Sequence, residues 1–417
     1  MELLEIRDLD GGNMFLPVPA VKLEFGAVGA GDASAVAERL AAAFALRAAS
    51  GGDPLQSLGA MLIAAVEDFC ARCGLPAPRT LWTAMDTPGA HALAFSWTRR
   101  AFVLRLAEGL ARTALVGGGD VAEMEAELRR CLADDDPDDR PLWITDDRRR
   151  ARIVAVTGTN GKTTTTRLIS HILREAGHHV GWSSSSGVYI DGEEVIAGDY
   201  SGPSGARRVL QDGRVEIAVL ETARGGILLR GLAYESNDVS VFTNISADHL
   251  DLQGVRTVET LARVKATVVA VTREEGWTVL NADDDHVLAA TASAKARRLL
   301  FSIRDDNPLV IAHAEAGHSV AFVESGAFVA MHAGERHELL PVADAPVTMG
   351  GRAGHMTENA LAAIGATLAL GLTPEQIRHG LRTFRNSTGQ NSGRLNLFEV
   401  NGAKVVVDFA HNEAGLA

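Results

Sequence analysis

The sequence has few cysteines, few aromatic residues and no long apolar run. Its 417 residues include only three cysteines, an odd and sparse set that fits a reducing compartment better than a disulfide scaffold. Cys70 and Cys73 form a lone CxxC just before a Gly-Leu-Pro sequence. Because no second CxxC accompanies it, we interpret the pair as small residues at a helix end rather than as a zinc or redox site.

The chain also lacks the signals of a membrane or secreted protein. No apolar run reaches the roughly 18 residues that a transmembrane helix needs. The opening residues MELLEIRDLDGGN have no apolar signal-peptide centre. We therefore expect a cytoplasmic protein without a membrane partner. Positive charge is scarce as well, since 40 Lys and Arg against 53 Asp and Glu give a net charge of −13. A dedicated nucleic-acid-binding protein usually carries a basic face, so we expect no nucleic-acid partner.

Apolar residues are plentiful and are arranged in two different patterns. They make up 46 % of the chain, with 22 % charged residues, which is typical of a folded globular protein. The length predicts about three domains. Residues 1–132 mix helical periodicity with a strand-like segment at 91–97, which predicts a small α+β domain. Residues 133–150 are acidic and contain proline, and we interpret them as a linker.

From residue 151 onward, strand-like runs alternate with helical patterns. This alternation predicts an α/β fold with a doubly wound parallel sheet. The strand-like runs are 151–158, 215–221, 238–245 and 277–283. The helical predictions are 258–276, 358–372 and a helix that Thr373 caps before Pro374, while 309–340 is predicted to form short strands and turns.

The strongest motif is VTGTNGKTT at 156–164, between a predicted strand and a predicted helix. This is the context of a phosphate-binding loop, although the first position of the usual pattern is valine here. Gly158 and Gly161 let backbone N–H groups turn toward phosphate oxygens, and the helix N-terminus adds partial positive charge. Lys162 supplies a point charge, and the Thr163 hydroxyl can coordinate Mg²⁺. The motif predicts a nucleotide-phosphate site.

Two further strands end in groups that suit a ligand site. Glu221 ends one predicted strand, where its carboxylate can hold a metal, and Arg224 after it can meet a phosphate or a substrate carboxylate. Asp248 and His249 follow the next strand and can serve as metal ligands or nucleotide contacts. Each pair alone is more often structural. Beside a phosphate loop they indicate one ligand site at the carboxyl edge of the sheet.

Taken together, these residues resemble the Mur ligase superfamily, whose members use ATP to join a carboxylate to an amine. Within it, the resemblance is to the Mur-ligase half of cyanophycin synthetase and covers about residues 151–417. Residues 1–150 resemble, more loosely, the region that precedes the ATP-grasp half in that group. The runs that carry the resemblance are SSGVYIDGEEVIAGDYSGPSGARRVL, LETARGGILLRGL, VFTNISADHLDLQGV and GRLNLFEVNGAKVVVDFAHNEAGL.

The resemblance implies a P-loop domain of Mur-ligase type that binds ATP and Mg²⁺. It implies catalytic roles for Lys162, Lys265 and His249, with Lys265 carried as a carbamate that helps to hold a second Mg²⁺. Thr163, Glu221 and His249 would hold Mg²⁺, and the Gly198–Ser204 turn would lie on the carboxyl-acceptor side. The implied nucleotide contacts are Gly158, Thr159, Asn160, Gly161, Lys162, Thr163, Thr164, Asn359, Arg394 and Asp408.

Some positions depart from the usual family pattern. Met356 stands where many members have asparagine, which weakens the assignment of Asn359 and the nearby His355 to adenine. Phe409 and Glu413 replace tyrosine and proline in the DFAHNEAG run, and Ser392 stands where proline is common.

The predicted organisation is 1–132 as the N-terminal α+β domain, 133–150 as linker, 151–392 as the central ATP-binding domain and 393–417 as the start of a C-terminal domain. Since a unit below about 40 residues rarely folds alone, we expect a truncated ligase. No ATP-grasp region lies in the chain, so a partner would have to supply that activity, and a homo-oligomer remains open.

The expected reaction is ATP-dependent amide-bond formation through an acyl phosphate. It would join a small-molecule or peptide carboxylate to an amino-acid amine. Two alternatives remain: a nucleotide-binding module that needs a partner or is inactive, and a non-ligase P-loop enzyme such as a kinase or ATPase.

Overall fold

The structure is a computed structural model that describes residues 1–46, 52–133, 136–248, 250–410, 412 and 415. Its contacts divide the chain into two compact units. Unit 1 comprises Met1–Trp143, Leu228–Ala233 and Asp251–Thr257, and unit 2 comprises Ile144–Ile227, Tyr234–Leu250 and Val258–Ala417. The four-part division expected from the sequence stays a prediction. Nothing in the sequence pattern indicated that two short later stretches would join unit 1.

Unit 1 is an α+β unit built on one antiparallel sheet with the order β1-β2-β4-β3. The strands are β1 (Glu2–Leu9), β2 (Ala20–Gly26), β3 (Thr80–Ala84) and β4 (His91–Ser96). The helices are α1 (Ala30–Ala43), α2 (Pro54–Arg72), α3 (Arg100–Val116) and α4 (Val121–Ala133), with a short 3₁₀ helix at Pro137–Asp139. The predicted strand at 91–97 and the helical character expected within residues 1–132 are confirmed, whereas α4 was not predicted. Cys70 is buried in the last turn of α2, and burial raises the pKa of its thiol to about 11.

Unit 2 contains an eleven-stranded sheet and a separate hairpin. The sheet strands are β5 (Arg152–Thr157), β6 (Val180–Ser184), β7 (Gly187–Ile190), β8 (Glu193–Ala197), β9 (Ile217–Glu221), β10 (Asn237–Phe242), β11 (Thr272–Asn281), β12 (Arg297–Ser302), β13 (Ser319–Glu324), β14 (Ala327–His332) and β15 (Glu335–Pro341). The hairpin consists of β16 (Asn396–Val400) and β17 (Ala403–Val407), which pair antiparallel. Apolar side chains of this hairpin are exposed, for example Phe398 at 41 %.

The helices of unit 2 fill the connections between the strands. They are α5 (Lys162–Glu175), α6 (Pro203–Leu210), α7 (Arg224–Arg230), α8 (Val258–Ala270), α9 (Asp285–Ala290), α10 (Pro308–Glu315), α11 (Gly354–Ala369) and α12 (Pro374–Thr383). Short 3₁₀ helices lie at Val342–Asp344 and Pro346–Thr348. Among the described helices, none combines the length and the apolarity that crossing a bilayer would require.

The sheet order is β15-β14-β13-β12-β11-β10-β5-β9-β6-β7-β8. The seven central strands, β13, β12, β11, β10, β5, β9 and β6, are parallel. The antiparallel strands β14 and β15 extend one edge, and the antiparallel strands β7 and β8 extend the other. After β5 the chain builds β6 and β9 on one side and then crosses to β10 on the other. This reversal is the switch point of a doubly wound sheet, so the predicted fold class is confirmed. Ligands bind such sheets beyond the carboxyl ends of the strands at that point, which here means β5, β9 and β10.

Burial explains why β5 stands at the centre. Every residue from Ile153 to Thr157 is buried, because β5 lies between β10 and β9 and both α5 and α8 pack against it. In α11, Gly365 permits a close approach, since a Cβ there would lie 2.7 Å from Val279 Cγ1 on β11. α12 begins as predicted: the Thr373 side chain accepts the N–H of Gln376, and the Gln376 side chain accepts the N–H of Thr373.

Two predicted boundaries are wrong. Residues 309–315 form helix α10 rather than a strand, because the Asn307 side chain accepts the backbone N–H groups of Leu309 and Val310 and thereby caps the helix. Residues 272–276, predicted to continue α8, begin β11 instead, since Thr272 pairs with Asn237 of β10. At α10, the prediction did not take the cap into account. At the start of β11, pairing with a neighbouring strand overrode the helical pattern.

Candidate nucleotide-binding site

The carboxyl ends of β5 and β9, the N-terminus of α5, the first turn of α11 and the segment after residue 393 surround a cavity of about 280 Å³ in unit 2. The predicted site residues that line it are Thr159, Asn160, Gly161, Lys162, Thr163, Thr164, Glu221, Lys265, Asn359, Arg394 and Asp408. Gly158 lies directly behind this lining. His249 lies outside the described residues, so its predicted roles stay predictions. The sequence motifs thus converge on one place, although they span more than half of the chain.

Two glycines give the loop after β5 its shape. Gly158 has φ +146° and Gly161 has φ +85°, conformations that residues with a side chain rarely adopt. A Cβ on Gly158 would lie 1.9 Å from Thr243 Oγ1, and a Cβ on Gly161 would lie 2.0 Å from Asn359 Oδ1. Both glycines are therefore required for conformation and for space. Gly161 directly precedes the first residue of α5, so the helix N-terminus opens into the cavity.

The loop is held from the segment that follows β10. The backbone N–H of Thr159 donates to the carbonyl oxygen of Asn244 at 2.8 Å, and that of Asn160 donates to Asn244 Oδ1 at 2.9 Å. Thr243 Oγ1 donates to the carbonyl oxygen of Asn160 at 2.7 Å. The sequence analysis overlooked Asn244 as a positioning residue. A polar side chain directly after a buried strand was the signal that could have revealed it.

A hydroxyl and a carboxylate meet at the start of α5. Thr163 Oγ1 donates to Glu221 Oε1 at 3.2 Å and lies 3.0 Å from Ser185 Oγ. The other carboxylate oxygen, Oε2, accepts the backbone N–H of Ser185 at 3.1 Å. Glu221 is 3 % exposed, so this carboxylate is fixed by two donors rather than by solvent. Oxygen donors of this kind suit Mg²⁺, which usually takes few protein ligands and completes its shell with phosphates and water. The Thr163 hydroxyl and the Glu221 carboxylate therefore suit the predicted Mg²⁺ site.

Two lysines approach the loop from opposite sides. Lys162 Nζ donates to the carbonyl oxygen of Thr159 at 2.7 Å, and Lys265 Nζ donates to that of Gly158 at 2.5 Å. Burial lowers the pKa of Lys162, partly opposed by Glu221, and it lowers the pKa of Lys265 much further, with the charge of Lys162 adding to the effect. Lys162 is thus a poorly solvated ammonium group that attracts negative charge, whereas burial strongly favours the neutral amine at Lys265.

The segment after β15 and α12 adds a third cation. Arg394 Nη2 lies 3.5 Å from Thr163 Oγ1, and its guanidinium carbon lies 5.0 Å from the centre of the Phe409 ring. Burial lowers the pKa of Arg394, and the nearby carboxylates Glu221 and Asp408 oppose that shift. Asp408 accepts the backbone N–H groups of Leu395 and Ala410, so it fixes the base of the hairpin. Phe409 therefore provides a ring beside the guanidinium at the position where the family usually has tyrosine.

Asn359, in α11, lies next to Gly161 of the loop after β5. Its Oδ1 accepts the hydroxyl of Thr165 at 3.3 Å, and its Nδ2 lies 3.7 Å from Met356 Sδ, a weak acceptor. Met356, which departs from the usual family asparagine, is thus a direct neighbour of this amide. Asn359 lines the cavity as expected, and its contact with adenine stays a prediction.

The Gly198–Ser204 turn borders the cavity near β9. Ser201 lines it and donates its backbone N–H and its hydroxyl to Asp199 Oδ1 at 3.0 and 2.7 Å. Its carbonyl oxygen accepts the N–H of Ala223 at 2.8 Å, which joins the turn to the loop after β9. Arg224, the first residue of α7, also lines the cavity, and burial lowers its pKa. The turn and Arg224 therefore form one wall.

Comparison with known proteins agrees with this arrangement. The family described as Mur ligase middle domain matches residues 156–367, about half of the sequence. The chain belongs to the Mur ligase family. The resemblance inferred from the motifs is confirmed.

The relatives in this family include several cyanophycin synthetases. That of Crocosphaera subtropica is 45 % identical over 266 residues, which cover 64 % of this chain and 30 % of the relative. That of Synechocystis sp. is 46 % identical over 266 residues, with the same coverage of 64 % and 30 %. The UDP-N-acetylmuramoyl-L-alanyl-D-glutamate--2,6-diaminopimelate ligase of Parabacteroides distasonis is 30 % identical, covering 66 % of this chain and 53 % of that protein. The match thus spans about a third of the length of the cyanophycin synthetases.

Proposed function

We propose that this chain carries the nucleotide-binding part of an ATP-dependent amide ligase and binds ATP with Mg²⁺ in the cavity beside the loop. The observation that carries the proposal is the convergence of three cationic side chains on one cavity: Lys162, Arg224 and Arg394 line it, each is partly buried, and their loss of water lowers the pKa of each. A triphosphate entering the cavity would restore the interactions that these charges lose on leaving water.

The loop would hold the phosphates by its backbone N–H groups and the N-terminus of α5. Lys162 would turn from the Thr159 carbonyl oxygen toward the β- and γ-phosphates. Thr163 and Glu221 would hold Mg²⁺, together with the predicted ligand His249. When bound, the ion neutralises charge on the transferring phosphoryl group. Asn359 would contact the adenine, and Asp408 would keep the hairpin base in place beside the nucleotide.

The proposed reaction has two steps. A carboxylate oxygen of the first substrate attacks the γ-phosphorus of ATP, ADP leaves, and an acyl phosphate forms. The second substrate, an amine, then attacks the acyl carbon, inorganic phosphate leaves, and the amine gives up a proton. Lys162 and Arg394 stabilise the negative charge that develops on the phosphoryl oxygens. Arg224 and the Ser201 turn lie at the wall where they can orient the carboxylate.

We propose further that Lys265 reacts with carbon dioxide to form a carbamate, which would help to hold a second Mg²⁺. Only a neutral amine can attack carbon dioxide, and burial strongly favours the neutral form of this lysine, which is 3 % exposed. The product is an anion placed near Lys162 and Arg224, so it would be electrostatically stabilised. A protein incubated with ¹³C-bicarbonate should show a carbamate signal in its NMR spectrum that Lys265→Gln removes. Persistence of the full signal in that variant would contradict the assignment.

The substrates would be a small-molecule or peptide carboxylate and an amino-acid amine, as the name of the cyanophycin synthetase relatives suggests. The match covers 30 % of those relatives, and we include in the proposal a partner that supplies an ATP-grasp activity. We also propose the four-part organisation with 1–132, 133–150, 151–392 and 393–417 as a working division of the chain.

ADP release separates the ligase from its alternatives. We expect release to require both a carboxyl acceptor and an amine. Release with neither would favour a kinase or ATPase, and nucleotide binding without turnover under any substrate pair would favour a binding module. A panel of aspartyl peptides as acceptors, with arginine and other amino acids as amines, is the first set to measure.

A further inference from the structure

A second, smaller cavity lies further along α5, on the helix face that carries Thr163 in the first turn. Its volume is about 120 Å³, less than half of the 280 Å³ of the cavity proposed for ATP, so it suits a small ion rather than a nucleotide. It is lined by α5, by β6 and β7, by the turn at Gly192 and by the loop at 384–392. We call it the Arg167 cavity.

Three basic side chains of α5 point into this cavity. Arg167, His171 and Arg174 are spaced four and three residues apart, so they lie on one face of the helix. This spacing can be seen in the sequence, but no sequence motif assigned a role to the three residues.

Arg167 is a buried cation without a carboxylate partner among the described residues. It is 8 % exposed and donates only to neutral acceptors: Ser186 Oγ at 2.6 Å, the Ser392 carbonyl oxygen at 3.1 Å and Asn391 Oδ1 at 3.5 Å. Burial lowers the pKa of its guanidinium. Glu221 opposes this pKa shift and Arg394 adds to it, but neither forms a hydrogen bond with the guanidinium. A buried charge whose hydrogen-bond acceptors are all neutral is costly, and an anion in the adjoining cavity would offset that cost.

Arg174 adds a second guanidinium at the rim. Its guanidinium carbon lies 6.0 Å from the centre of the Trp182 ring, and within the described part of the chain it forms no ion pair within 4.0 Å. Gly192 makes room for it, because a Cβ there would lie 2.6 Å from the guanidinium. The Trp182 ring is itself stacked on Tyr189 at 4.9 Å with an interplanar angle of 8°. The stacked rings and the space at Gly192 therefore hold the Arg174 guanidinium in a defined position at the rim.

The indole of Trp182 is a further unsatisfied group at this cavity. Trp182 is 8 % exposed and lines the cavity, and its buried Nε1–H has no hydrogen-bond partner in the described structure. Together with two guanidinium groups and a buried histidine, the wall presents donors and positive charge but no carboxylate. Such a wall is complementary to an oxyanion.

We propose that the Arg167 cavity binds a small oxyanion, a carboxylate or a phosphate group, at a site separate from the ATP cavity. Arg167 and Arg174 bind the oxyanion from two sides, and the Trp182 ring closes the site. The geometry also connects it to the proposed ATP site: Ser186 follows Ser185, the neighbour of Thr163, and Ser392 precedes Arg394 by two residues.

The test follows the indole N–H signals of the full chain labelled with ¹⁵N-tryptophan. The chain has five tryptophans, and Trp182→Phe identifies the signal of Trp182. Inorganic phosphate and acetate are titrated separately, with sodium chloride holding the ionic strength constant. The titrations are repeated in Lys162→Ala, so that binding of phosphate to the loop is not mistaken for binding here.

We expect the Trp182 signal to move in a saturable manner with at least one of the two anions, also in Lys162→Ala. Arg174→Gln should raise the dissociation constant about tenfold, as the loss of one charge-assisted contact implies. Arg167→Gln should do the same, and Arg174→Gln keeps the test valid if the buried substitution impairs folding. Arg208→Gln, an exposed arginine on α6, is the matched control and should leave binding unchanged.

The two anions distinguish the source of the oxyanion. A lower dissociation constant for phosphate assigns the site to a phosphate group, a lower one for acetate assigns it to a carboxylate, and equal values assign it to oxyanions in general. A Trp182 signal that moves with neither anion, or that responds equally in Arg174→Gln and in the wild type, overturns the proposal.

Discussion

Gly161→Ala would test the geometry of the loop directly, and the chain offers a matched control at the other end of the same helix. Gly161 has φ +85° before α5, and Gly177 has φ +90° after it. An alanine at either position takes on left-handed strain of about 1–2 kcal/mol. Only at Gly161 does the added Cβ meet another atom, Asn359 Oδ1 at 2.0 Å, whereas nothing lies within 4 Å at Gly177. The difference between the two variants therefore isolates the close contact.

The contact must open to at least 3.0 Å, so Asn359 or the loop has to move by about 1 Å. Asn359 is 4 % exposed and Thr165 holds its amide, which leaves it little freedom. Overpacking of this kind costs about 1–3 kcal/mol. We expect Gly161→Ala to melt below Gly177→Ala and to weaken binding of a non-hydrolysable ATP analogue at least tenfold, about 1.4 kcal/mol.

Calorimetric titration and thermal unfolding of both variants measure these effects. Gly177→Ala should lower Tm alone and bind the analogue as the wild type does. If Gly161→Ala binds the analogue as tightly as Gly177→Ala, the loop does not carry the phosphates and the reasoning is refuted.

Three further outcomes are expected. Glu221→Gln should weaken Mg²⁺-dependent binding of the ATP analogue while binding without Mg²⁺ changes little, measured by titration with and without the ion. Arg149→Ala should destabilise unit 2 by about 3 kcal/mol in chemical denaturation, because it leaves the partly buried Asp238, which Arg149 contacts at 2.7 and 3.1 Å, without that partner. Burial and nearby acids raise the pKa of Glu358 to about 7, so stability should fall as pH rises from 4.5 to 7, and Glu358→Gln should flatten that part of the stability profile.

The controls for these outcomes come from the same chain. Equal loss of binding with and without Mg²⁺ in Glu221→Gln would argue against a metal role. The exposed Arg214, paired with Asp212 at 2.7 Å, provides the control for Arg149, and its alanine variant should change stability far less. An unchanged pH profile in Glu358→Gln would show that this carboxyl does not titrate in that range. Stability falls with rising pH because the raised pKa of Glu358 makes the folded chain bind more protons than the unfolded chain between pH 4.5 and 7.

The sequence predicted the central sheet well because its strands are continuous apolar runs. β5 and β9 were placed within two residues, since buried parallel strands leave little ambiguity. The antiparallel edges β7 and β8 were not predicted, because both strands are short and β8 is largely exposed, with two glutamates among its five residues. The start of β11 at Thr272 was assigned to a helix because no local pattern reveals a strand partner.

The site was predicted to the extent that its residues belong to motifs. Gly161, Lys162 and Glu221 stand in recognisable runs at strand ends, and the structure brings them into one cavity. Asn244 carries no motif of its own, and only its hydrogen bonds to the loop reveal its role. Arg167 was not predicted for a different reason: its significance lies in its burial and in hydrogen-bond acceptors that are all neutral, which a sequence does not show.

The central claim is that the loop after β5 binds the phosphates of ATP, and binding of a non-hydrolysable ATP analogue to Lys162→Ala tests it most directly. Lys295→Ala, which removes an exposed lysine paired with Glu274, is the control for a lysine-to-alanine change. We predict that the wild type and Lys295→Ala bind the analogue with Mg²⁺ equally well. Lys162→Ala should bind it at least tenfold more weakly and should show no ATP turnover in the complete enzyme. Wild-type affinity and turnover in Lys162→Ala would contradict the claim.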